Sequence, residues 1–195
     1  MVKAIKYNLS HLLDFNGREA RPMFWYYVLF LIILQFLAGM AITLPALFAS
    51  LGDAMQAAQA GASEQELQVS MMKSMGGTLG AAVWISAGMS AAMALLVLAA
   101  FVRRLHDSGR TGWWALLALA GQALGIIISI RNIGAVQHLV ALSTDPANVA
   151  QVAQIQTEMA RTSLIGWIAP IVVIVFGVMA STPGANRYGE PEVTV

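Results

Sequence analysis

The chain has 195 residues, of which 58% are hydrophobic and 11% carry a charged side chain, and its formal net charge is +1. A soluble domain is usually about half apolar and about a quarter charged, so this composition excludes an ordinary water-soluble core. The small net charge gives no indication of a nucleic-acid partner. Because the chain has no cysteine, it offers no disulfide, thiol nucleophile or thiolate metal site.

Four stretches are apolar over the length of about 20 residues that a helix needs to cross a membrane. None of them contains Asp, Glu, Lys, Arg or His, and they lie at about 24–44, 78–102, 113–130 and 164–180. Pro22 is expected to open the first span and Pro45 to close it, while Pro170 predicts a kink in the fourth. The expected fold is all-α: a polytopic helical membrane protein with four transmembrane helices in two hairpins.

The Lys and Arg residues indicate the orientation of these spans. Eight of the 11 lie in the segments 1–23, 103–112 and 181–195, and three lie in the connections 45–77 and 131–163. Cytoplasmic segments carry the excess of Lys and Arg, so both termini are predicted to be cytoplasmic and the two connections extracytoplasmic. The expected anchors at the cytoplasmic membrane interface are Trp25, Tyr26, Trp113 and Trp114.

The two extracytoplasmic connections are expected to contain amphipathic helices. Ser63 and Glu66 have the spacing of a capping box at a helix start. In the second connection, Asp145 is placed to cap a helix that has Pro146 at its first position. These helices are predicted to lie on the bilayer surface or to cover the helix bundle.

The turn between the second and third spans holds three arginines, a histidine and an aspartate within residues 103–112. Gly109 and Gly112 permit a tight turn there. One interpretation is topology control, with Asp107 pairing locally to arginine. A second is an anionic ligand, either a phospholipid headgroup or a phosphorylated small molecule. Catalysis by His106 with Asp107 is the weakest, because no nucleophile accompanies them. The candidate cluster, in which Asp107 is expected to bridge the two charged segments, comprises Arg18, Arg21, Arg103, Arg104, His106, Asp107 and Arg110.

Within the spans the polar residues considered are uncharged amides and hydroxyls. Small residues let helices approach closely, and amides hydrogen-bond across the contact. We therefore expect helix packing here, with Gln35 and Gln122 as pathway residues being the alternative. The expected packing residues are Gln35, Ser86, Ser90, Gly121, Gln122 and Gly125.

Three motifs resemble one bacterial inner-membrane family, catalogued as domain of unknown function number 805, which includes YhaH-like proteins. In chain order they are Phe15-Asn16-Gly17-Arg18-x-x-Arg21-x-x-Phe24-Trp25, Arg103-Arg104-Leu105-His106-Asp107-x-Gly109-x-x-Gly112-Trp113-Trp114 and Pro183-Gly184-x-Asn186-Arg187-Tyr188-Gly189. The resemblance covers nearly the whole chain. It implies a small helical protein of the bacterial cytoplasmic membrane and supplies no activity.

The function expected from these observations is a non-enzymatic inner-membrane module that binds lipid or a partner protein through its cytoplasmic Arg/His/Asp face. The alternatives are a small oligomeric transporter or export component and a membrane enzyme acting on lipid phosphate. Membrane lipids, anionic headgroups among them, are the expected partners, and a second copy or another membrane protein is the other partner class. Because His11, His106 and His138 are scattered, no metal site is predicted. No cofactor or catalytic residue is predicted either.

Overall fold

The computed structural model describes residues 1–142 and 146–191, without the side chains of residues 64, 65, 68–79, 140 and 146. Over these residues the regular secondary structure is helical, apart from an isolated bridge between Asn186 and Gly189. Short 3₁₀ turns at Pro146–Asn148 and Leu164–Trp167 precede the last two helices. The α-helices are α1 (Val2–Ser10), α2 (Arg21–Gln59), α3 (Glu64–Asp107), α4 (Trp114–Leu142), α5 (Val149–Ser163) and α6 (Ile168–Val178).

Four helical runs are long and apolar enough to cross a membrane. At most 22% of the most apolar 18-residue window of any run is buried inside the protein. So much exposed apolar surface is stable in lipid and not in water. The fold is therefore that of an all-α, multi-pass membrane protein, as predicted. The four runs are Arg21–Gln59, Gly80–Asp107, Trp114–Leu139 and Val149–Val178.

The three prolines of the apolar stretches behave differently. Pro22 lies at the second position of α2, where no helical partner exists for the missing N–H. Pro45 does not end its helix, because α2 continues through it to Gln59; transmembrane helices tolerate an internal proline. Pro170 lies in the first turn of α6, directly after a 3₁₀ turn. The predicted irregularity in the fourth apolar stretch is thus a change of helix type ahead of the proline.

The predicted capping box starts α3. The carboxylate of Glu66 accepts hydrogen bonds from the backbone N–H of Ser63 at 2.8 Å and from its hydroxyl at 2.9 Å. These bonds lower the pKa of Glu66, the backbone bond most, so this contribution to stability is present near neutral pH and is lost as the pH falls through the lowered pKa. In the second connection α5 begins at Val149, and the predicted cap Asp145 lies outside the described residues.

The described contacts divide the chain into two compact units. The first comprises Met1–Phe36, Met89–Ile126 and Ile165–Val195, and the second comprises Leu37–Gly88 and Ile127–Leu164. The buried apolar core of the first unit brings parts of α2, α3 and α4 together around Phe24, Tyr27, Phe101 and Leu105. This core supports the charged end of α3, where the candidate site lies.

Within the first unit, Gly121 of α4 lies against the start of α6. A Cβ added there would lie 2.7 Å from Cγ2 of Ile168 and 3.0 Å from the backbone nitrogen of Ala169. We expect Gly121→Ala to lower the free energy of unfolding by about 1–3 kcal/mol, as overpacking usually does. Thermal unfolding in detergent measures this change. Gly134→Ala is the control in the same helix, since its Cβ would meet nothing within 4 Å, and an equal loss in both variants would contradict the close contact.

Candidate functional site

The charged end of α3 is buried and not exposed to solvent. Arg103, Arg104 and Asp107 are at most 2% exposed, and Arg18 and Glu19 from the segment before α2 are 4% and 0% exposed. Ionised side chains are stable inside a protein only when paired and hydrogen-bonded. We call these five residues, together with the buried Asn8 of α1, the buried charge cluster.

Asp107 joins the two charged segments, as the sequence predicted. Its Oδ1 lies 3.0 Å from Nη2 of Arg18, and its Oδ2 pairs with Nη1 of Arg104. The hydroxyl of Ser181 also donates to Oδ2, at 2.5 Å. One carboxylate therefore accepts hydrogen bonds from two arginines and a serine. Both of its oxygens are already paired within the protein.

Arg18 ties the C-terminal tail to this carboxylate. Its Nη1 donates to the carbonyl of Gly184 at 2.6 Å, and its Nη2 donates to the carbonyl of Thr182 at 2.8 Å. The backbone N–H of Thr182 in turn donates to the carbonyl of Asp107 at 2.8 Å. The planar guanidinium fork suits several fixed acceptors at once. The tail is thus held through its backbone.

Arg103 holds the N-terminal segment against the end of α3. It lies 3.0 Å from Oε2 of Glu19 and donates to Oδ1 of Asn8 at 2.6 Å. It also donates to the carbonyls of His11 and Asp14, at 3.0 and 2.5 Å. Asn8 closes the group by donating to Oε1 of Glu19 at 2.8 Å. The exposed carboxyl of Asp14 has a lowered pKa, chiefly because the N–H of Asn16 donates to it.

Arg104 reaches the end of α6. It donates to the carbonyl of Gly177 at 3.0 Å and to the carbonyl of Met179. The indole of Trp25 donates to the same Gly177 carbonyl at 3.2 Å. A Cβ on Gly177 would lie 2.8 Å from the Trp25 ring, so only glycine leaves room for this aromatic side chain.

His106 and Asp107 point to different partners. The imidazole stacks on Tyr188 with ring centroids 3.7 Å apart, and its Nδ1 lies 3.2 Å from the carbonyl of Gly17. Since a carbonyl only accepts, Nδ1 is the donor in this contact. Asn186 donates to the His106 carbonyl at 3.0 Å. The contacts of these two side chains therefore do not form a base with its orienting carboxylate.

The glycines of the following turn have separate roles. Gly109 has a φ of +72°, the left-handed conformation expected of it. Gly112 instead permits close packing, because a Cβ there would lie 2.9 Å from Cγ1 of Val102.

Two arginines of the candidate cluster lie outside the buried group. Arg21 and Arg110 are exposed and form no ion pair with any residue that the structure describes. Trp113 and Tyr26 are 76% and 47% exposed. Trp114 is 43% exposed and packs against Phe176, whereas Trp25 is half-buried. Exposed cations and exposed aromatic residues close together in the sequence have the composition of a membrane–water interface.

The polar residues within the apolar helices are in three different situations: two are hydrogen-bonded to each other, one has a buried oxygen that is unpaired within the described part of the chain, and one serine is exposed. Gln122 donates to the hydroxyl of Ser90 at 2.5 Å. Oε1 of Gln35 is buried without a hydrogen-bond partner among the described residues, which costs about 1–3 kcal/mol. Ser86 is exposed, and Gly125 lies near Gly166, whose Cα would be 3.3 Å from an added Cβ.

Sequence reasoning identified most of the cluster and missed part of its surroundings. It named the arginines and Asp107, but its candidate residues did not include Asn8, Glu19 or the acceptor carbonyls of the tail. The signal for Asn8 was its spacing of four from Ala4, which places both on one face of α1; both are buried. Within the described part of the chain, no three His, Asp or Glu side chains are grouped to hold a metal ion.

A family model described as "Protein of unknown function (DUF805)" matches residues 12–190. The match includes all of the buried charge cluster except Asn8. No curated protein and no solved structure matches the chain. Since the family model covers most of the 195 residues, the chain belongs to the DUF805 family of proteins of unknown function.

Proposed function

We propose that this chain is a non-enzymatic, multi-pass protein of the bacterial inner membrane that binds anionic lipid headgroups at its cytoplasmic face. Arg21 and Arg110 carry the binding, with Trp113 and Tyr26 at headgroup depth. The observation that supports this most is the division of the arginines: three are buried and hydrogen-bonded to protein partners, while these two are exposed and close in sequence to exposed aromatic residues. Arginine contacts phosphate bidentately.

The same contacts support the proposed orientation. The N-terminal segment, the end of α3 and the C-terminal tail bond directly to one another through Arg103, Arg18 and Asp107. Segments in contact outside the membrane lie on one side of it, and these three carry eight of the 11 Lys and Arg residues. By the positive-inside rule that side is the cytoplasm. The resemblance of the three motifs to a bacterial inner-membrane family supports the proposed location.

The contacts of His106 favour a binding module over a lipid-phosphate enzyme. Its ring is stacked on Tyr188 and its Nδ1 bonds to a backbone carbonyl. Asp107 is occupied by two arginines. Asp107 is therefore not available to orient His106 as a general base.

Lipid selectivity in nanodiscs tests the proposal. We expect the wild-type chain to retain phosphatidylglycerol over phosphatidylcholine in native mass spectrometry. The double variant Arg21→Gln/Arg110→Gln is expected to lose about tenfold in this preference, since a charge-assisted hydrogen bond contributes about 1.5–3 kcal/mol. Arg161→Gln is the matched control, because Arg161 is 72% exposed in the second unit. An unchanged preference in the double variant would exclude Arg21 and Arg110 as the headgroup site.

A further inference from the structure

A cavity lies within the first unit, among α2, α3, α4 and α6. Its volume is about 280 Å³, and its walls are mostly aliphatic and small side chains. Three polar residues, Gln35, Ser90 and Gln122, complete the lining, which contains no charged side chain. Ligand sites are typically apolar clefts with a few polar groups that fix orientation. The cavity has this composition.

The polar residues of the cavity are unequally satisfied. Gln122 donates to the hydroxyl of Ser90 at 2.5 Å, so each of these two residues has a hydrogen-bond partner within the protein. Gln35 is half-buried and its Oε1 has no partner among the described residues. A buried acceptor in an apolar environment is normally paired. Side-chain packing therefore explains the first two residues and leaves the Gln35 oxygen unexplained.

We propose that this cavity binds a neutral, mostly apolar molecule whose single hydroxyl or N–H donates to Oε1 of Gln35. The uncharged lining excludes an ionised ligand, because nothing in it would compensate the desolvated charge. The volume lies near the lower end of the range for small-molecule sites, about 300–1,000 Å³. A slender amphiphile or one short acyl chain fits these dimensions, and an entire phospholipid does not. This site is separate from Arg21 and Arg110, which do not line the cavity.

A pair of photoreactive probes tests the proposal on the full chain in nanodiscs. One is a ten-carbon alcohol with a diazirine in its chain, and the other is its methyl ether, which lacks the donor. We expect the alcohol to label cavity residues, competed by excess decanol, with about five- to tenfold less labelling by the ether, since one neutral hydrogen bond is lost. Equal labelling by both probes would overturn the proposal.

Three variants locate the effect. Gln35→Leu removes the acceptor and is expected to abolish the preference for the alcohol, while Gln137→Leu, the same change at an exposed position, preserves it. Ala94→Leu adds volume to the lining and is expected to reduce labelling by both probes.

Because Gln35→Leu removes an unpaired buried oxygen, its thermal stability should equal or exceed that of the wild type. A Gln35→Leu protein that is folded and keeps the alcohol preference would contradict the role of Gln35.

The hydroxyl could come from a membrane lipid or from a small dissolved alcohol, and the two sources are separable. Mass spectrometry of the extracted protein shows a retained neutral lipid, such as a glyceride, in the first case. In the second case the extracted protein carries none and binds added decanol.

Discussion

Asp107→Ala is expected to lower the free energy of unfolding by about 3–5 kcal/mol, the usual effect of removing one partner of a buried ion pair. The substitution leaves the guanidinium groups of Arg18 and Arg104 buried without their carboxylate. It also removes the acceptor of Ser181. The five tryptophans report the transition when the detergent-solubilised chain is heated or titrated with denaturant.

Two variants separate this effect from a general loss of charge. Glu158→Ala removes the same kind of group from a pair whose side chains are 72% and 62% exposed, and we expect a change below about 1 kcal/mol. Asp107→Asn keeps the shape but not the charge, and is expected to fall between the wild type and Asp107→Ala. If Asp107→Ala were as stable as Glu158→Ala, the cluster would not hold the fold.

Arg103→Ala is expected to release the N-terminal segment from the end of α3. Arg103 donates to Asn8 and to the carbonyls of His11 and Asp14, and its removal takes away the arginine that pairs with the buried carboxylate of Glu19. We expect a loss of about 3–5 kcal/mol and faster amide exchange across residues 2–14. Hydrogen exchange measured by mass spectrometry reports both the segment and its extent.

The controls for this prediction are a neighbouring charge and a double-mutant cycle. Lys3→Ala changes an exposed residue of α1 and should leave exchange unchanged. In a cycle of Arg103→Met with Glu19→Gln, we expect a coupling of about 0.5–3 kcal/mol, because the residues are in contact. Additive effects together with unchanged exchange in Arg103→Ala would mean that the two residues do not act as a pair.

The fold was predictable wherever one physical quantity dominated. Uninterrupted apolar length located four helices, and the reciprocal hydrogen bonds of Ser63 and Glu66 marked one helix start. Helix ends were less accessible. Pro45 looked like a terminus because proline lacks an N–H, yet α2 continues past it. A rule for soluble helices overestimates the cost when neighbouring groups in a membrane protein satisfy the freed carbonyl.

The membership of the candidate site was predictable in part. The prediction included Arg18, Arg103, Arg104 and Asp107, but it missed Asn8 and Glu19 and added the exposed Arg21 and Arg110. The density of arginines around Asp107 indicated pairing, and the bridge to Arg18 followed from charge complementarity. The acceptors on the C-terminal tail are backbone carbonyls, such as those of Thr182 and Gly184, and a carbonyl leaves no trace in a sequence. The burial of the arginines could likewise not be predicted from the sequence, because a run of charges usually indicates a solvated surface.

Arginine modification on the unaltered protein tests the central claim most directly, namely that the arginines divide into an internal group and a surface group. In detergent, phenylglyoxal is expected to modify Arg21 and Arg110 readily and to leave Arg18, Arg103 and Arg104 intact until the chain unfolds. Peptide mass spectrometry quantifies each residue, and added phosphatidylglycerol should slow only the first pair. Modification of Arg103 and Arg104 in the folded chain as fast as Arg21 would contradict the account.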